Sequence, residues 1–237
     1  MPGDRYVRTN RDLSLEFRAL LAAADWDVAL LQEVPPRWTG PLGDATGADH
    51  RASRTSRNWM RPLTSLPARY RPHLVGSWEG GANLLLVRQG RPGTGIVEHR
   101  SAALCHRPER RVVSMVRLDG GLCVANLHAG TGADRAERDV RRAAGIATDW
   151  AGENPLVLGG DFNLRPGTGR AFRDLSLDYG LAGFTDDRAI DHLLVRGAER
   201  LDPVTAWPGD RRDVPDDHGE LLIRLSDHAP VVSRISV

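Results

Sequence analysis

The sequence predicts an α/β (α+β) fold in which two mixed sheets pack face to face, with helices on the outside. Short apolar runs recur along the chain, and several of them end at an acid, an amide or a histidine. Helical patterns separate some of these runs, whereas the turn Asp119-Gly120-Gly121 joins two others as a hairpin. Crossover helices favour parallel pairing and hairpins require antiparallel pairing, so a chain with both predicts mixed sheets.

Three segments have helical spacing. Apolar residues repeat at helical intervals in residues 11–24, and Asn10 is placed to cap the start of that helix. Residues 133–150 are rich in arginine on one side and carry mainly small apolar residues on the side that faces the core. A short third helix is predicted near residues 168–178.

The predicted strands follow the apolar runs. They cover residues 27–33, 82–87, 112–118, 122–128, 156–159, 190–195, 204–207, 221–225 and 230–235. Residues 35–80 contain Pro35-Pro36, Gly40-Pro41 and Gly80-Gly81, and are predicted to be rich in loops. No linker or internal repeat interrupts the pattern, so we expect residues 1–237 to form a single domain.

Composition restricts the classes of function. A net charge of +1 gives no whole-molecule attraction to nucleic acid or to an anionic membrane, although all 32 basic residues are arginines. Cys105 and Cys123 are too few for a disulfide framework and lack the spacing of metal ligands. No signal peptide and no run long enough to span a membrane are visible, so we expect a cytoplasmic monomer.

The stretch Gly159-Gly160-Asp161-Phe162-Asn163 carries the strongest chemical signal. It follows the apolar run Leu156-Val157-Leu158, and residues two apart in a strand point to the same face. Asp161 and Asn163 would then offer a carboxylate for a hard divalent cation and an amide donor for a phosphoryl oxygen. The alternative is a turn in which both side chains satisfy local backbone groups.

Four further polar clusters lie at the ends of predicted strands. They are Gln32-Glu33, Asn126-Leu127-His128, Ile190-Asp191-His192 and Ser226-Asp227-His228. Each has an ordinary structural explanation, such as a solvated strand end, a turn cap or a buried imidazole in the core. A mixed sheet that gathers its strand ends at one edge would instead bring all of them to one cleft.

The order of these five clusters resembles that of the endonuclease/exonuclease/phosphatase superfamily, also called DNase I-like. The likeness runs from about Ala22 to the C-terminus. It implies a four-layered αββα sandwich of two mixed sheets and a metal-dependent hydrolase of phosphate esters, of the phosphodiesterase, nuclease or phosphatase type. The implied partner is a phosphate-ester substrate: DNA or RNA, a phospholipid headgroup, a sugar or inositol phosphate, or a nucleotide.

The resemblance also implies roles for the acids. Glu33 is expected to bind Mg²⁺ or Mn²⁺, with Asp227 as a second carboxylate near the metal. Few protein ligands are needed, because Mg²⁺ keeps several waters and is completed by substrate phosphate. Asp161 is expected to orient or deprotonate the attacking water and to share the metal, while Asn163 donates to a phosphoryl oxygen.

The histidines and the weaker positions complete the expected site. Asp191 and His228 would form an acid–imidazole pair in which His228 either accepts the proton of the water or places positive charge on the phosphate. His128 is the expected general acid on the leaving group. His192 follows Asp191 directly, so it should point to the opposite face. Phosphate contacts are expected from Asn83 and from one of Arg110 and Arg111, with Arg111 preferred.

One departure from the family pattern leaves a second function open. The family normally begins with a strand that ends in an aromatic residue and Asn, and here the sequence predicts that this strand is missing. Its absence would leave an unpaired sheet edge and remove one ligand from the active site. The alternative function is therefore a catalytically impaired binding protein on the same scaffold.

The segment from His50 to Trp78 is the one local concentration of positive charge in the sequence. It contains six arginines, two histidines and no acid, with Trp59, Tyr70 and Trp78 between them. Arginine combined with aromatic residues is typical of a groove for single-stranded nucleic acid or phosphate. A solvated surface loop explains the same composition.

Overall fold

The structure is a computed structural model that describes residues 6–7, 11–55 and 81–237. Four α-helices lie in these residues, and we number them in chain order. They are α1 (Ser14–Ala23), α2 (Thr39–Thr46), α3 (Ala133–Ala151) and α4 (Ala171–Tyr179). Two short 3₁₀ helices cover Pro36–Trp38 and Gly209–Arg212.

Fourteen strands lie in the described residues, and the first eight form the two larger sheets. These are β1 (Val28–Val34), β2 (Ala48–Arg54), β3 (Ala82–Arg88), β4 (Ile96–Cys105), β5 (Arg111–Leu118), β6 (Cys123–His128), β7 (Leu156–Asp161) and β8 (Asp191–Arg196). The remaining six are short and form three two-stranded ladders. They are β9 (Glu199–Arg200), β10 (Thr205–Ala206), β11 (Asp213–Pro215), β12 (Leu222–Arg224), β13 (Val231–Val232) and β14 (Ile235–Ser236).

The larger sheet has five strands in the order β4-β5-β6-β7-β8. β6 and β7 run parallel with α3 as their crossover, and the other neighbours pair antiparallel. The sheet is therefore mixed, as the combination of a crossover helix and a hairpin predicted. The smaller sheet has the order β1-β3-β2, and both of its pairings are antiparallel.

Three apolar clusters separate four layers. One lies between α3, α4 and the outer face of the five-stranded sheet, where Ala136, Ala143, Ala144 and Ala147 are fully buried. The second lies between the two sheets, and the third lies between the three-stranded sheet and α1 with α2. Alanine keeps the helix axis close to the strands, so α3 packs as a flat outer layer. The predicted α/β fold class is confirmed.

Several element boundaries differ from the prediction. α1 begins at Ser14 rather than at residue 11, and Leu13 precedes it; Asn10 lies outside the described residues. α2 and β2 occupy part of the segment predicted as loop. Gly40-Pro41 falls in the first turn of α2, where a missing proline N–H removes no helical bond. The ten-residue strand β4 was not predicted.

Two sequence predictions concern residues that lie largely outside the described part of the chain. The first is the groove for nucleic acid or phosphate: residues 56–80, with Trp59, Tyr70 and Trp78, are outside, so it stays a prediction. The second is the missing first strand: residues 1–5 and 8–10 are outside as well. Of the two described residues in that region, Tyr6 forms a parallel bridge to Leu222, and the Val7 N–H donates to the Leu222 carbonyl oxygen.

None of the helices in the described part of the chain combines the length and the apolar character that a membrane crossing needs.

Gly160 allows β6 and β7 to approach closely at the end that carries the polar residues. Its φ of 127° lies in a region that favours glycine, and a Cβ placed there would lie 2.0 Å from the carbonyl oxygen of Leu127. That distance is far inside van der Waals contact, so any larger residue must push the two strands apart.

We therefore expect Gly160→Ala to lower the free energy of unfolding by about 3 kcal/mol, since it combines backbone strain with a backbone clash. Gly40→Ala is the matched control, because a Cβ at Gly40 meets no atom within 4 Å. The control should be neutral or stabilising by up to about 1 kcal/mol. Urea denaturation of both variants is the measurement, and equal stabilities would contradict the close approach.

Candidate active site

The predicted site residues form a row along one edge of the five-stranded sheet. β6 ends at His128, β7 ends at Asp161 and β8 begins at Asp191. The strand registers pair His128 with Asp161 and Asp161 with Asp191. Paired residues on neighbouring strands project from the same face, so the three side chains stand side by side. Arg111 begins β5 at the same edge.

Phe162 anchors the loop that follows β7. Its ring is fully buried, 6.1 Å from the ring of Phe172 and 5.3 Å from that of His192. Thr185 N–H donates to His192 Nδ1, and His192 Nε2 contacts the Leu164 carbonyl oxygen at 3.1 Å. His192 thus packs in the core on the face opposite to Asp191, as expected from strand alternation.

Asn163 reaches the site by a turn rather than by strand alternation. β7 ends at Asp161, and Asn163 has a φ of 48°, a left-handed conformation that asparagine tolerates better than most residues. Its N–H donates to Asp161 Oδ1 at 2.8 Å, and its Nδ2 donates to the Ala129 carbonyl oxygen at 2.9 Å. The turn offered as an alternative explanation is therefore present, and it orients the Asp161 carboxylate.

Asp161 is a buried acid among other acids. Burial raises its pKa to about 6, although the hydrogen bond from Asn163 N–H opposes the rise. The carboxylates of Asp191 and Glu33 raise the pKa further, whereas His228 lowers it. Shifts of this kind, produced by burial together with specific charged neighbours, are concentrated at functional sites.

Asp191 and His228 are in direct contact. His228 Nδ1 lies 2.8 Å from Asp191 Oδ2, which is a hydrogen-bonding distance. Burial tends to lower the pKa of His228, but the Asp191 carboxylate and its hydrogen bond outweigh this, and the pKa is raised. Burial is also the main reason that the pKa of Asp191 is raised. The predicted acid–imidazole contact exists, and it leaves His228 Nε2 free of Asp191.

His128 is held as a neutral imidazole. Arg111 Nη1 lies 2.8 Å from His128 Nδ1, and a guanidinium can only donate, so Nδ1 is the acceptor and Nε2 carries the proton. Burial, with the positive charge of Arg111, lowers the pKa of His128 to about 3. An imidazole of this pKa is uncharged at neutral pH, and the expected role of His128 as general acid on the leaving group stays a prediction.

Glu33 lies at the rim of the row. Its φ of 56° is in the left-handed region, where a glutamate is strained, and its side chain is 76 % exposed. Its Oε1 lies 3.9 Å from His128 Nδ1. Among the described residues, the non-glycine residues with positive φ are Glu33 and Asn163, and both belong to the predicted site.

Asn126 joins the two sheets directly behind the row. It is fully buried, and its Oδ1 accepts a hydrogen bond from Gln32 Nε2 at 2.7 Å. Its Nδ2 donates to the carbonyl oxygens of Leu31 and Leu84, each at 3.0 Å. Gln32 and Asn126 belong to motifs that the sequence singled out, but their contact across the two sheets was not predicted. It fixes Glu33 against the end of β6.

The remaining predicted contacts differ in their access to the surface. Asn83 is fully buried, and its Nδ2 donates to the Val112 carbonyl oxygen at 2.9 Å, so its amide has no route to a bound phosphate. Arg111 is mostly buried but lines a cavity that opens beside the site. Asp227 is exposed, and its Oδ1 accepts a hydrogen bond from the His228 N–H.

The acidic end of the row fits a divalent cation. Asp161, Asp191 and His228 offer two carboxylate oxygens and an imidazole nitrogen within 4.8 Å of one another. Burial is the main cause of the raised pKa of both acids, because it leaves their negative charge poorly solvated. A cation would compensate it, and carboxylates suit Mg²⁺ and Mn²⁺. Glu33 and Asp227 lie outside this close group.

Solved structures of other proteins share the fold. A family protein from Bacteroides thetaiotaomicron is 16% identical at a TM-score of 0.65, and the alignment covers 97% of this chain and 95% of that chain. Humanized D. rerio TDP2 is 17% identical at 0.63, with coverage of 94% and 90%. The human nocturnin catalytic domain with bound sulfate is 16% identical at 0.56, with coverage of 78% and 77%.

No curated protein matches the sequence. The model of the Endonuclease/Exonuclease/phosphatase family matches residues 4–228. The matched span includes Glu33 on β1, the row from His128 to Asp191, and His228 at its C-terminal limit. It covers most of the chain, and the shared fold agrees with it. The chain therefore belongs to the Endonuclease/Exonuclease/phosphatase family.

Proposed function

We propose that the chain is a metal-dependent hydrolase of phosphate esters, with its active site at the row His128, Asp161 and Asp191. The proximity of Asp161 to the hydrogen-bonded pair Asp191 and His228 carries the proposal, because it sets a buried acid beside an imidazole whose pKa a carboxylate raises. Hydrolysis of a phosphate ester needs a proton acceptor for water and positive charge on the phosphoryl oxygens. Side chains on different strands and loops are placed to meet both requirements.

Asp161, Glu33 and Asp227 are the residues that would hold Mg²⁺ or Mn²⁺. Their carboxylates match the preference of these cations for oxygen. Asp191 and His228 already satisfy each other by a hydrogen bond, whereas the exposed Glu33 carboxylate has its nearest described partner only at 3.9 Å. When bound, the cation neutralises negative charge on the substrate and stabilises the leaving oxygen.

Asp161 is the proposed proton acceptor for the attacking water. Its pKa of about 6 lies close to neutral pH, where a general base is most effective. Asn163 N–H fixes one carboxylate oxygen, so the other, 3.4 Å from His128 Nε2, is the one that faces the site. The neutral His128 ring borders that oxygen.

His228 supplies positive charge to the phosphate. Asp191 binds Nδ1 and raises the pKa, so the imidazolium can donate from Nε2 to a phosphoryl oxygen. The arrangement supports the second of the two roles that the sequence left open for His228, in which it places positive charge on the phosphate. Arg111 is held by His128 and Glu109, at 2.8 and 2.7 Å, and would contact the substrate from the opposite side of the row.

Asp161→Asn should lower kcat on bis-p-nitrophenyl phosphate by about a hundredfold or more, because it removes the proton acceptor at constant size. Asp178→Asn, an exposed position on α4, is the matched control and should keep its rate. The assay needs Mg²⁺ or Mn²⁺ and a circular dichroism spectrum of each variant. A natively folded Asp161→Asn variant with normal kcat would exclude Asp161 as the base. A wild-type chain that binds but never hydrolyses phosphate esters would favour the impaired binding protein.

Glu33→Ala should raise the half-saturating Mg²⁺ concentration by about tenfold, or about 1.4 kcal/mol of binding free energy. Asp191→Asn should change it much less, because Asp191 is paired with His228. Titration of the metal against the rate of both variants separates the two ligand sets. The reverse order of effects would assign the cation to Asp161, Asp191 and His228 instead.

Asp191→Asn should lower the pKa of His228, since it removes the carboxylate that raises it. The measurement is an NMR titration of the His228 ring in the metal-free protein. The rate losses of Asp191→Asn and His228→Ala should also be non-additive, because the two groups act as a unit. An unshifted His228 pKa together with additive losses would show that the contact has no part in catalysis.

A further inference from the structure

A cavity beside the site is lined by several positively charged side chains. The cavity of about 860 Å³ is lined by Glu33 and Arg111 from the site and continues along α3 and the loop between β4 and β5. Six arginines line it, against three acids, Glu33, Glu109 and Asp139. The arginines are Arg107, Arg111, Arg135, Arg138, Arg141 and Arg142. The lining is more positive than the whole chain, whose net charge is +1.

Four of these arginines have no carboxylate partner among the described residues. Arg141 pairs with Glu137 and Asp174, and Arg111 pairs with Glu109. In the part of the chain that the structure describes, no carboxylate lies within 4 Å of the guanidinium groups of Arg107, Arg135, Arg138 or Arg142. All four residues are exposed, and each guanidinium presents a planar set of donors that matches a phosphate.

The cavity is joined to the proposed reaction centre by shared residues. Arg111 lines the cavity and lies 2.8 Å from His128, which in turn lies 3.4 Å from Asp161. An anion in the cavity could therefore belong to the same molecule as the phosphate at Asp161. None of the described lining residues is aromatic, so the cavity offers charge rather than stacking.

We propose that this cavity binds a second phosphate group of the substrate, so that the preferred substrates carry at least two phosphates in series. The proposal rests on the proposed hydrolase function, because the first phosphate is the one cleaved at Asp161. The second phosphate could belong to a nucleic acid strand or to a compact polyphosphorylated compound. Both present phosphate oxygens to the arginines. The described lining of the cavity has no aromatic side chain to stack on a base, so we expect binding to be independent of base sequence.

Equilibrium binding without divalent metal tests the cavity apart from hydrolysis. The probes are a fluorescein-labelled single-stranded octanucleotide, followed by anisotropy, and inorganic tripolyphosphate, followed by calorimetry. Arg138→Gln combined with Arg142→Gln should weaken binding of at least one probe by about tenfold. For the octanucleotide, the slope of log Kd against log salt concentration should fall by about 1.4, or about 0.7 for each phosphate that an arginine no longer neutralises.

The matched control is Arg91→Gln combined with Arg234→Gln, which removes the same charge from exposed positions that do not line the cavity. It should bind both probes within about twofold of wild type. Arg107→Gln, on the opposite wall, should repeat the loss seen with the α3 variant. Weakening for the octanucleotide alone assigns the cavity to a strand, and weakening for tripolyphosphate assigns it to a compact polyphosphate. Equal binding by the cavity and control variants would overturn the proposal.

Hydrolysis supplies the second comparison. The ratio of kcat/KM for the 5′-phosphorylated dinucleotide pTpT to that for TpT isolates the contribution of one additional phosphate. This ratio should fall at least about fivefold in the cavity variant and stay constant in the control. An unchanged ratio with an active enzyme would contradict the second-phosphate site. If wild type cleaves no phosphate ester, the proposed function fails, while the metal-free binding result still decides whether the cavity holds phosphate.

Discussion

The site depends on the hydrogen bonds of one buried amide, Asn126. Apolar side chains fill most of the space between the two sheets, where they resist separation but allow small relative shifts, and other hydrogen bonds such as Asn83 to Val112 also cross it. Asn126 removes that freedom at one end, because it bonds to a side chain and two carbonyl oxygens on the opposite sheet. Loss of the amide would deprive three polar groups of this partner, at a cost of about 1–3 kcal/mol for one that is fully buried, such as the Leu84 carbonyl oxygen. The position of Glu33 on one sheet relative to His128 on the other follows from this contact.

Within the five-stranded sheet, the strand register determines where the site residues lie relative to one another. The row His128, Asp161 and Asp191 exists because each strand ends at the same level as its neighbour. A slip of one residue would turn every side chain of a strand to the other face and separate the acids. Phe162 and His192 oppose such a slip from the helix side, since both are fixed in the core directly beneath the row. Core packing and site geometry are thus set by consecutive residues at the ends of the same two strands, Asp161-Phe162 and Asp191-His192.

The sequence predicted the elements whose apolar residues are contiguous and missed those whose residues are mixed. β5, β6 and β7 are almost entirely buried, and their apolar runs were recognised. β4 and β2 carry His, Arg and Ser on partly exposed faces, so neither shows an apolar run. The residue types of the site were visible at strand ends, but the contact of Arg111 with His128 was not. That contact depends on the pairing of β5 with β6 and on the burial of both side chains. The contact and the burial favour a neutral His128, which the residue types alone did not reveal.

The backbone conformation of Glu33 lowers the stability of the fold and so affects which substitutions selection would favour. Its left-handed backbone conformation would cost a glycine nothing, and an asparagine little. Selection for thermal stability alone would therefore favour replacement of this glutamate, and would remove an exposed carboxylate from the proposed reaction centre at the same time. Stabilised descendants of this chain, whether natural or obtained by laboratory evolution, would tend to keep the fold while losing the proposed cation ligand. Loss of this acid from stabilised variants would be the expected outcome if folding alone acted on the position.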